Sequence, residues 1–393
     1  MLLLCLTPLA AAPRAVAASP PALSAGSAAL VDLATGEVLY SLRADERKAP
    51  ASTTKILTAL VALQRGHLED EVTIGAEPPR QAGTRVYLVE GETVTLEQLL
   101  YGMLVNSGND AAVAIAEHYG GSLEEFAALM NAEARRAGAA HSHFTNPSGL
   151  SDPDHYTTAR DLALIARAAM QYPVFREMVA TRNWPWKSRE WETTLVNHNR
   201  LLWKYQGADG VKNGYTNDAR YTLVGSATRD GQTLIAVVLE EPTSKAADDD
   251  VMALLDYGFS EFTSQVVARQ GQVMAVLQLE DHRVDLAAEK ELAILARRDG
   301  SQGPTAQLHL ANIPRPAREG TRVGEMVYRQ NGKIVGRVGL VAVQPIPRRP
   351  LTLGDWWLIL TLLGAAAAAA LSVARRRRLA RMRAARAARA RLQ

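Results

Sequence analysis

Cysteine is almost absent from this sequence of 393 residues, with Cys5 as its single example. Cys5 lies in an apolar N-terminal run, so the rest of the chain has no cysteine for a disulfide, a thiolate metal cluster or a nucleophile. Zinc would be limited to His and carboxylate ligands, and the eight His show no His-Glu-x-x-His or similar pairing. His141 and His143 lie in a loop-like stretch and are interpreted as surface residues. The residues therefore give no indication of a metal site.

Net charge is also small, because 44 Lys and Arg stand against 41 Asp and Glu, a formal charge of +3. Nine Arg follow Val373 and Arg14 precedes the body, so residues 18–355 hold 34 basic and 41 acidic residues, a net charge of −7. A body that binds nucleic acid usually carries the basic charge itself. The sequence therefore argues against nucleic acid as a partner.

The N-terminal segment has the pattern of an export signal. Residues 2–12 are apolar, and Ala15-Val16-Ala17 has the small-x-small form of a signal-peptidase site. We expect residues 1–17 to be a signal peptide, with a buried N-terminal helix as the alternative.

The C-terminal segment has the pattern of a membrane anchor. Residues 356–374 are 19 residues without a charge, close to the roughly 20 that cross a bilayer. Trp356 and Trp357 at the start of this segment are typical of the membrane–water interface, where aromatic residues are enriched. The Arg-rich tail at 375–393 is expected to be cytoplasmic by the positive-inside rule. We therefore predict a single-pass cell-membrane protein with an extracytoplasmic body. A helix lying on the membrane is the alternative, but the run has no polar face.

Between these ends, two patterns predict two domains. A strand-turn-strand over 28–40 and a hairpin over 221–240 flank segments with helical spacing at 53–64, 95–104, 110–119, 122–137 and 158–170. Strands at both ends of a helical middle predict an α/β (α+β) domain at residues 18–262, with a mixed sheet covered by helices.

Short alternating segments at 273–279, 306–310 and 324–343, the last folded at Asn331-Gly332, predict a small all-β domain at residues 263–346. It contains no acidic cluster and no Gly-rich phosphate loop, so we interpret it as a spacer or scaffold. The Pro-containing stretch 344–350 leads to the membrane segment, and we place a linker at residues 347–355.

Ser52 and Lys55 are a candidate catalytic pair. Their i and i+3 spacing places a hydroxyl and an amine on one face of a predicted helix. A Ser hydroxyl needs a base to become a nucleophile, and a desolvated lysine with a lowered pKa can be that base. The helix N-terminus adds N–H groups where an oxyanion would form. Alone, the pair is weak evidence, since Ser52 could be only a helix cap.

Two further triplets strengthen this interpretation. Ser107-Gly108-Asn109 lies between two helical patterns and presents a hydroxyl and an amide from an irregular turn. Lys212-Asn213-Gly214 precedes the hairpin at 221–240, and its glycine would let a substrate backbone approach a strand edge. Class A β-lactamases and penicillin-binding proteins use Ser-x-x-Lys, Ser-Asp-Asn and Lys-Thr-Gly together. The first triplet and close variants of the others occur here in that order.

Longer blocks make the resemblance specific. Residues 50–55 (PASTTK), 105–111 (VNSGNDA), 144–150 (FTNPSGL), 209–216 (DGVKNGYT) and 254–259 (LLDYGF) resemble the D-alanyl-D-alanine carboxypeptidases, the low-molecular-mass penicillin-binding proteins of the penicillin-binding protein 5 type. The resemblance runs from about residue 23 to 259 and more loosely over the β domain. It implies a β-lactamase/transpeptidase-like fold, with the β domain holding the enzyme off the membrane.

The resemblance also implies an activity and roles for named residues. The activity is removal of the terminal D-alanine from peptidoglycan stem peptides through an acyl-enzyme, with β-lactams as covalent inhibitors and without a metal or organic cofactor. Ser52 would be the nucleophile, Lys55 its base, and Ser107 and Asn109 would relay protons and hold the substrate amide. Residues 212–216 would bind substrate, namely Lys212, Asn213, Gly214, Tyr215 and Thr216. Backbone N–H groups of Ser52 and Tyr215 would form the oxyanion hole.

Two positions depart from the family pattern. Asn213 stands where the family usually has Thr, and Ala247 stands where it commonly has Arg, with Lys245 nearby. A β-lactamase, a catalytically idle peptidoglycan-binding scaffold and a D,D-endopeptidase acting on cross-links remain the alternatives. The oligomeric state, the third stem residue and the effect of Asn213 stay open.

Overall fold

The computed structural model describes residues 19–279, 282–298, 304–311, 313, 315–330, 332–348 and 353–390. The expected signal peptide, Asn331 of the expected β turn and residues 349–352 of the expected linker lie outside these ranges. Spatial proximity divides the chain into two compact units. One is Met1–Val267 with Glu291–Ala306 and Tyr328–Gly336, and the other is Ala268–Lys290 with Gln307–Val327 and Arg337–Gln393.

The first part of the chain alternates between strands and helices. In chain order they are β1 (Ser27–Asp32), β2 (Val38–Leu42), α1 (Lys55–Arg65), β3 (Glu71–Thr73), β4 (Thr93–Thr95), α2 (Leu96–Leu104), α3 (Asn109–Gly120), α4 (Leu123–Arg136), α5 (Ala159–Ala169), α6 (Pro173–Ala180), β5 (Asn183–Lys187), β6 (Glu192–Val196), α7 (Leu201–Lys204), β7 (Ala208–Thr216), β8 (Arg220–Arg229), β9 (Gln232–Glu241) and α8 (Ser244–Glu261).

Five of these strands form one sheet in the order β2-β1-β9-β8-β7, and every neighbouring pair in it is antiparallel. The expectation of a mixed sheet is therefore wrong. For three of the four pairs the physical reason is a short connection: turns join β1 to β2, β7 to β8 and β8 to β9, and a short turn can pair strands only in antiparallel fashion. The fourth pair, β1 with β9, joins strands distant in the chain and is also antiparallel. The strand β7 lies at one edge of the sheet.

Helices cover both faces of this sheet, as the sequence predicts. Alternate residues point to opposite faces of a strand, so Ala29 and Val31 of β1 pack in one apolar cluster with α1 and α5, while Ala28 and Leu30 pack with α8 in another. The sheet thus separates two cores, and α1 is buried between it and the other helices.

Local signals explain where several helices begin. Thr95 caps α2 in a reciprocal capping box with Gln98, and the side chains of Ser122 and Thr158 accept N–H bonds at the starts of α4 and α5. These helices match the predicted segments to within two residues.

The later part of the chain is rich in strands, which are β10 (Phe262–Ala268), β11 (Val273–Leu279), β12 (His282–Ala288), β13 (Leu292–Arg297), β14 (Thr305–Leu310), β15 (Arg322–Gln330) and β16 (Lys333–Ala342). Five of them form a sheet in the order β11-β12-β16-β15-β14 over a small apolar cluster that includes Leu286 and Leu340. The predicted strands at 273–279, 306–310 and 324–343 correspond to β11, β14 and the β15–β16 pair.

A single helix, α9 (Leu353–Ala390), ends the described chain. Its segment Gly354–Arg375 is long and apolar enough to cross a membrane, by length and composition only.

Candidate active site

Ser52 lies in a single 3₁₀ turn, Ala51–Thr54, that leads directly into α1. Ala51 has a left-handed backbone with φ of 51°. The preceding carbonyl, Pro50 O, accepts hydrogen bonds from Thr53 Oγ1 at 2.6 Å and from Thr222 Oγ1 of β8 at 3.0 Å. The turn that carries Ser52 is therefore held both by its own Thr53 and by the sheet.

The Lys55 amine occupies a buried site with three oxygen partners. Its Nζ lies 3.0 Å from Ser52 Oγ, 2.7 Å from Asn109 Oδ1 and 2.7 Å from the carbonyl oxygen of Ser148. Burial lowers the pKa of Lys55 well below its usual range, the charge of Lys212 lowers it further, and the carboxylate of Asp110 opposes both. A neutral amine next to Ser52 Oγ can accept its proton.

Asn109 is fixed at the first position of α3. Its backbone N–H donates to Thr84 O at 2.7 Å and its side-chain amide donates to Ala82 O at 2.6 Å, so its Oδ1 is left to face Lys55. Ser107, two residues earlier, is also buried and has a left-handed backbone with φ of 65°. Among the described residues no hydrogen bond joins the Ser107 hydroxyl to Ser52, Lys55 or Asn109.

A loop that sequence reasoning left without a role supplies the third oxygen partner of Lys55. Asn146 Oδ1 accepts N–H bonds from Ser148 at 3.2 Å and from Gly149 at 2.8 Å, which folds the loop back on itself. Gly149 has φ of 84°, and a Cβ there would lie 1.8 Å from Ala51 O. This glycine lets the loop pack against the Ser52 turn with the Ser148 carbonyl facing Lys55.

Asp110 is a second residue without an expected role. Its buried carboxylate accepts backbone N–H bonds from Val86, Leu88 and Ala111 at 2.9–3.1 Å. Burial raises the pKa of Asp110, although these hydrogen bonds act in the opposite direction and lower it. A carboxylate here anchors the segment beside α3 that also holds Asn109.

Strand β7 passes directly beside Ser52. A Cβ on Gly214 would lie 2.7 Å from Ser52 N and 3.0 Å from Ala51 Cβ. The close neighbour of this glycine is therefore the backbone of Ser52, whereas a substrate backbone was expected to approach here. Tyr215 follows Gly214 directly on β7, so the same strand carries its backbone N–H.

The Lys212 side chain is buried on β7. Burial lowers the pKa of Lys212 to about 7, so near neutral pH its charge is only partly present. Its Nζ donates to Asn213 O at 2.9 Å and to Asn213 Oδ1 at 3.2 Å. Asn213, which stands where the family usually has threonine, thus accepts a hydrogen bond from the side chain of Lys212 through its own side-chain amide.

The remaining residues of the expected substrate strand are peripheral. Tyr215 is 53% exposed, and its ring lies 4.5 Å from that of Tyr221. Thr216 Oγ1 accepts the N–H of Ala219 at 3.0 Å and closes the turn to β8. Within the described chain, neither side chain is hydrogen-bonded to Ser52 or Lys55.

Two histidines flank the site, His155 buried and His198 at the surface, and desolvation lowers the pKa of each to about 4. His155 accepts the N–H of Thr145 at Nδ1, so its Nε2 carries the proton and donates to Thr54 Oγ1 at 2.9 Å. His198 stays neutral partly because of the charge of Lys212. Neither was expected from sequence, because a single histidine outside a motif has no distinguishing pattern.

A small cavity adjoins β7 where the family usually has an arginine. Ala247 lines it together with Asn213, Gly214 and Arg200 of the segment before α7. The Arg200 guanidinium lies 2.9 Å from Asp248 Oδ2 and also donates to Ser244 Oγ. Lys245 instead pairs with Asp249 at the surface. A guanidinium is thus present in this cavity, but it comes from a different element.

Residues 14–243 match the family described as D-alanyl-D-alanine carboxypeptidase, and residues 262–348 match the C-terminal domain of penicillin-binding protein 5. The D-alanyl-D-alanine carboxypeptidase DacF of Bacillus subtilis is 32% identical over 84% of this chain and 90% of its own length. DacA of Haemophilus influenzae is 32% identical over 88% of this chain and 91% of its own.

Two solved structures are similar. Penicillin-binding protein 5 from Haemophilus influenzae covers 84% of this chain and 100% of its own, with a TM-score of 0.73 and 31% identity. The DD-transpeptidase of Streptomyces K15 covers 62% of this chain and 99% of its own, with a TM-score of 0.59 and 35% identity.

Proposed function

The chain belongs to the D-alanyl-D-alanine carboxypeptidase family of serine peptidases, and from this premise we propose how its residues perform the reaction. The enzyme removes the last D-alanine from peptidoglycan stem peptides, with Ser52 Oγ as the nucleophile. The observation that carries this assignment is the buried Lys55 amine, 3.0 Å from Ser52 Oγ.

In the first step, neutral Lys55 accepts the Ser52 proton while Oγ bonds to the carbonyl carbon between the two D-alanines. The C–N bond then breaks, and the proton passes to the leaving amine, with Ser107 as the relay. Water afterwards cleaves the Ser52 ester by the same proton route. Asn109 Oδ1 and the Ser148 carbonyl support this role, because they hold the Lys55 amine in one position through both steps.

The backbone N–H groups of Ser52 and Tyr215 form the oxyanion hole. Gly214 supports this proposal, because a Cβ there would lie 2.7 Å from Ser52 N, so the glycine lets β7 pass next to the start of α1. One such donor is worth about 2.7–4 kcal/mol in comparable enzymes.

The free carboxylate of the terminal D-alanine is bound at the cavity beside Lys212 and Asn213. Lys212, with its pKa of about 7, is only a partial cation near neutral pH. Arg200 stays charged throughout, because a guanidinium does not lose its proton in proteins. We assign Arg200 to the carboxylate, in place of the arginine that is absent at Ala247.

The location follows from the two ends of the chain. A signal peptide at 1–17 exports the body, and the apolar part of α9 anchors it in the cell membrane with the Arg tail in the cytoplasm. In this proposal the catalytic domain is residues 18–262 and the β domain is residues 263–346, which serves as a spacer above the membrane. Protease added to intact cells is expected to digest the body and spare the tail.

The test uses full-length protein in detergent and a peptide that ends in Lys-D-Ala-D-Ala. We expect release of D-alanine from the wild type and none from Ser52→Ala, and a penicilloyl adduct on the Ser52 peptide by mass spectrometry. Release that persists in Ser52→Ala, or an adduct on another residue, would contradict the assignment. The same assay with cross-linked muropeptides as substrate measures endopeptidase activity. Comparison of the Asn213→Thr variant with the wild type measures the effect of Asn213 in the third motif.

A further inference from the structure

Two aromatic side chains, Tyr87 and Trp191, meet at the surface of the first compact unit. Tyr87 belongs to the segment between β3 and β4 and is 54% exposed, whereas Trp191 directly precedes β6 and is half-buried. Their ring centres are 5.1 Å apart, with the ring planes at 85°. The guanidinium of Arg85 lies 5.1 Å from the centre of the Tyr87 ring. We call these three side chains the aromatic platform.

The backbone of Tyr87 is unfavourable for an exposed aromatic residue. Its φ of 59° lies in the left-handed region, where a bulky side chain is an outlier that costs free energy. The flanking residues Val86 and Leu88 are buried, and their N–H groups donate to the Asp110 carboxylate at 3.0–3.1 Å. The ring of Tyr87 is left largely in water, so its own burial does not offset the cost. Strained residues of this kind cluster at ligand-binding sites.

A buried carboxylate fixes the two rings relative to one another. Glu92 is only 6% exposed, and its Oε1 accepts the N–H of Val89, two residues after Tyr87, at 2.6 Å. Its Oε2 accepts the N–H of Arg189, two residues before Trp191, at 2.9 Å. The segment of Tyr87 and the β5–β6 hairpin are therefore joined through one side chain. The aromatic platform is preorganised, which lowers the cost of binding a ligand.

Polar groups at the edge of the aromatic platform are free to bind a ligand. Among the described residues no hydrogen bond involves the Tyr87 hydroxyl or the indole N–H of Trp191, and Arg85 donates only from Nη1, to Pro79 O at 2.8 Å. A sugar ring has C–H bonds on its faces and hydroxyl groups around its edge. Tyr and Trp match this pattern, because each combines an apolar ring with a polar group. The composition of the aromatic platform therefore fits a carbohydrate.

The aromatic platform is continuous with the active site. Asp110, whose carboxylate holds both neighbours of Tyr87, directly follows Asn109 in α3, and Asn109 Oδ1 lies 2.7 Å from Lys55 Nζ. In a pentapeptide stem, four residues separate the sugar from the scissile bond, and an extended chain of that length spans about 14 Å. The sugar of a substrate bound at Ser52 can therefore reach the aromatic platform.

We propose that the aromatic platform is a subsite for the glycan strand of peptidoglycan. Tyr87 and Trp191 contact the apolar faces of the sugar rings, and Arg85 donates to their oxygen atoms. The enzyme then prefers stem peptides that are still attached to their sugar over free peptides. This inference rests on the proposed function, because that function supplies the substrate to which the glycan belongs.

The test compares two substrates of full-length enzyme in detergent. One is a free pentapeptide stem that ends in Lys-D-Ala-D-Ala, and the other is the same stem attached to a disaccharide of N-acetylglucosamine and N-acetylmuramic acid. The peptide is identical in both, so a difference between them reports the sugar alone. One aromatic contact changes binding by about two- to tenfold. We expect kcat/KM for D-alanine release to be higher for the disaccharide substrate by about that factor for each ring.

Variants assign this preference to the two rings. Tyr87→Asn removes the ring but tolerates the left-handed backbone, and Trp191→Ala removes the second ring. Each should lower the ratio of the two kcat/KM values by about two- to tenfold and leave kcat/KM for the free peptide unchanged, whereas Tyr87→Phe should keep most of the preference. Acylation by benzylpenicillin, which carries no sugar, should stay at the wild-type rate.

Trp203→Ala is the matched control. Trp203 is 46% exposed and lies beside another arginine, with the Arg182 guanidinium 5.9 Å from its ring centre. Arg182 precedes β5 at the end of the β5–β6 hairpin away from Trp191. We expect Trp203→Ala to keep the wild-type ratio of the two kcat/KM values.

Equal kcat/KM for the two substrates in the wild type would refute the glycan subsite while leaving the carboxypeptidase assignment intact. Variants that lower kcat/KM for both substrates and the acylation rate alike would also refute it, because the rings would then only support the fold. Absence of D-alanine release from either substrate would instead remove the proposed function, and the subsite with it. The two failures are therefore distinguishable in one experiment.

Discussion

Replacing Gly214 with alanine tests the arrangement on which the oxyanion hole depends. A Cβ at this position would lie 2.7 Å from Ser52 N and 2.7 Å from Thr222 Oγ1, whereas ordinary contacts begin near 3.4 Å. Strand β7 would have to move about 0.7 Å away from the Ser52 turn, because Ser52 N is backbone and Thr222 is itself bonded to Pro50 O. The backbone at Gly214 has no left-handed φ, so the alanine is penalised only by this contact.

Such a shift is enough to misplace one oxyanion donor, and loss of one donor lowers rates by about 10²- to 10³-fold. We expect Gly214→Ala to reduce the acylation rate with benzylpenicillin by about 10²-fold, measured by stopped-flow kinetics. Thermal unfolding measured in parallel would show whether the variant still folds.

Gly75→Ala is the matched control. A Cβ there would also come within 2.7 Å of another atom, but that atom is Oε2 at the end of the flexible Glu117 side chain. We expect its acylation rate to equal that of the wild type. A Gly214→Ala rate within threefold of the wild type would refute the proposal that this close approach builds the oxyanion hole.

Two further predictions concern pH. Lys55 acts as a base only when neutral, so the acylation rate should rise with pH well below the usual lysine pKa. Lys212→Gln should shift this rise to higher pH, because it removes the positive charge that lowers the pKa of Lys55. An unshifted pH–rate profile would contradict this. Burial and Asp250 raise the pKa of Glu241 to about 8, so the stability this group contributes is present below its ordinary pKa of 4.5 and is lost as pH rises through 8. Glu241→Gln should therefore raise the melting temperature relative to the wild type at pH 8.5 but not at pH 4, as calorimetry can check.

Much of the fold could be predicted from local patterns. The helix α1 follows from apolar residues at helical spacing, and the β8–β9 hairpin follows from two β-branched runs around residues 229–231. Other elements could not be found in this way. Pro185 in β5 obscures a strand signal, and the strand direction in the main sheet depends on which strands become neighbours.

The sequence by itself determined the pairing of Ser52 with Lys55, because residues three apart on one helical turn are neighbours wherever the helix lies. Only the tertiary structure decided what surrounds that pair. The partners of Lys55 come from 54 and 93 residues away in the chain, and its lowered pKa comes from burial and from Lys212 on an edge strand. Local hydrogen bonding is encoded in a few adjacent residues, whereas desolvation and charge depend on which distant segments pack together.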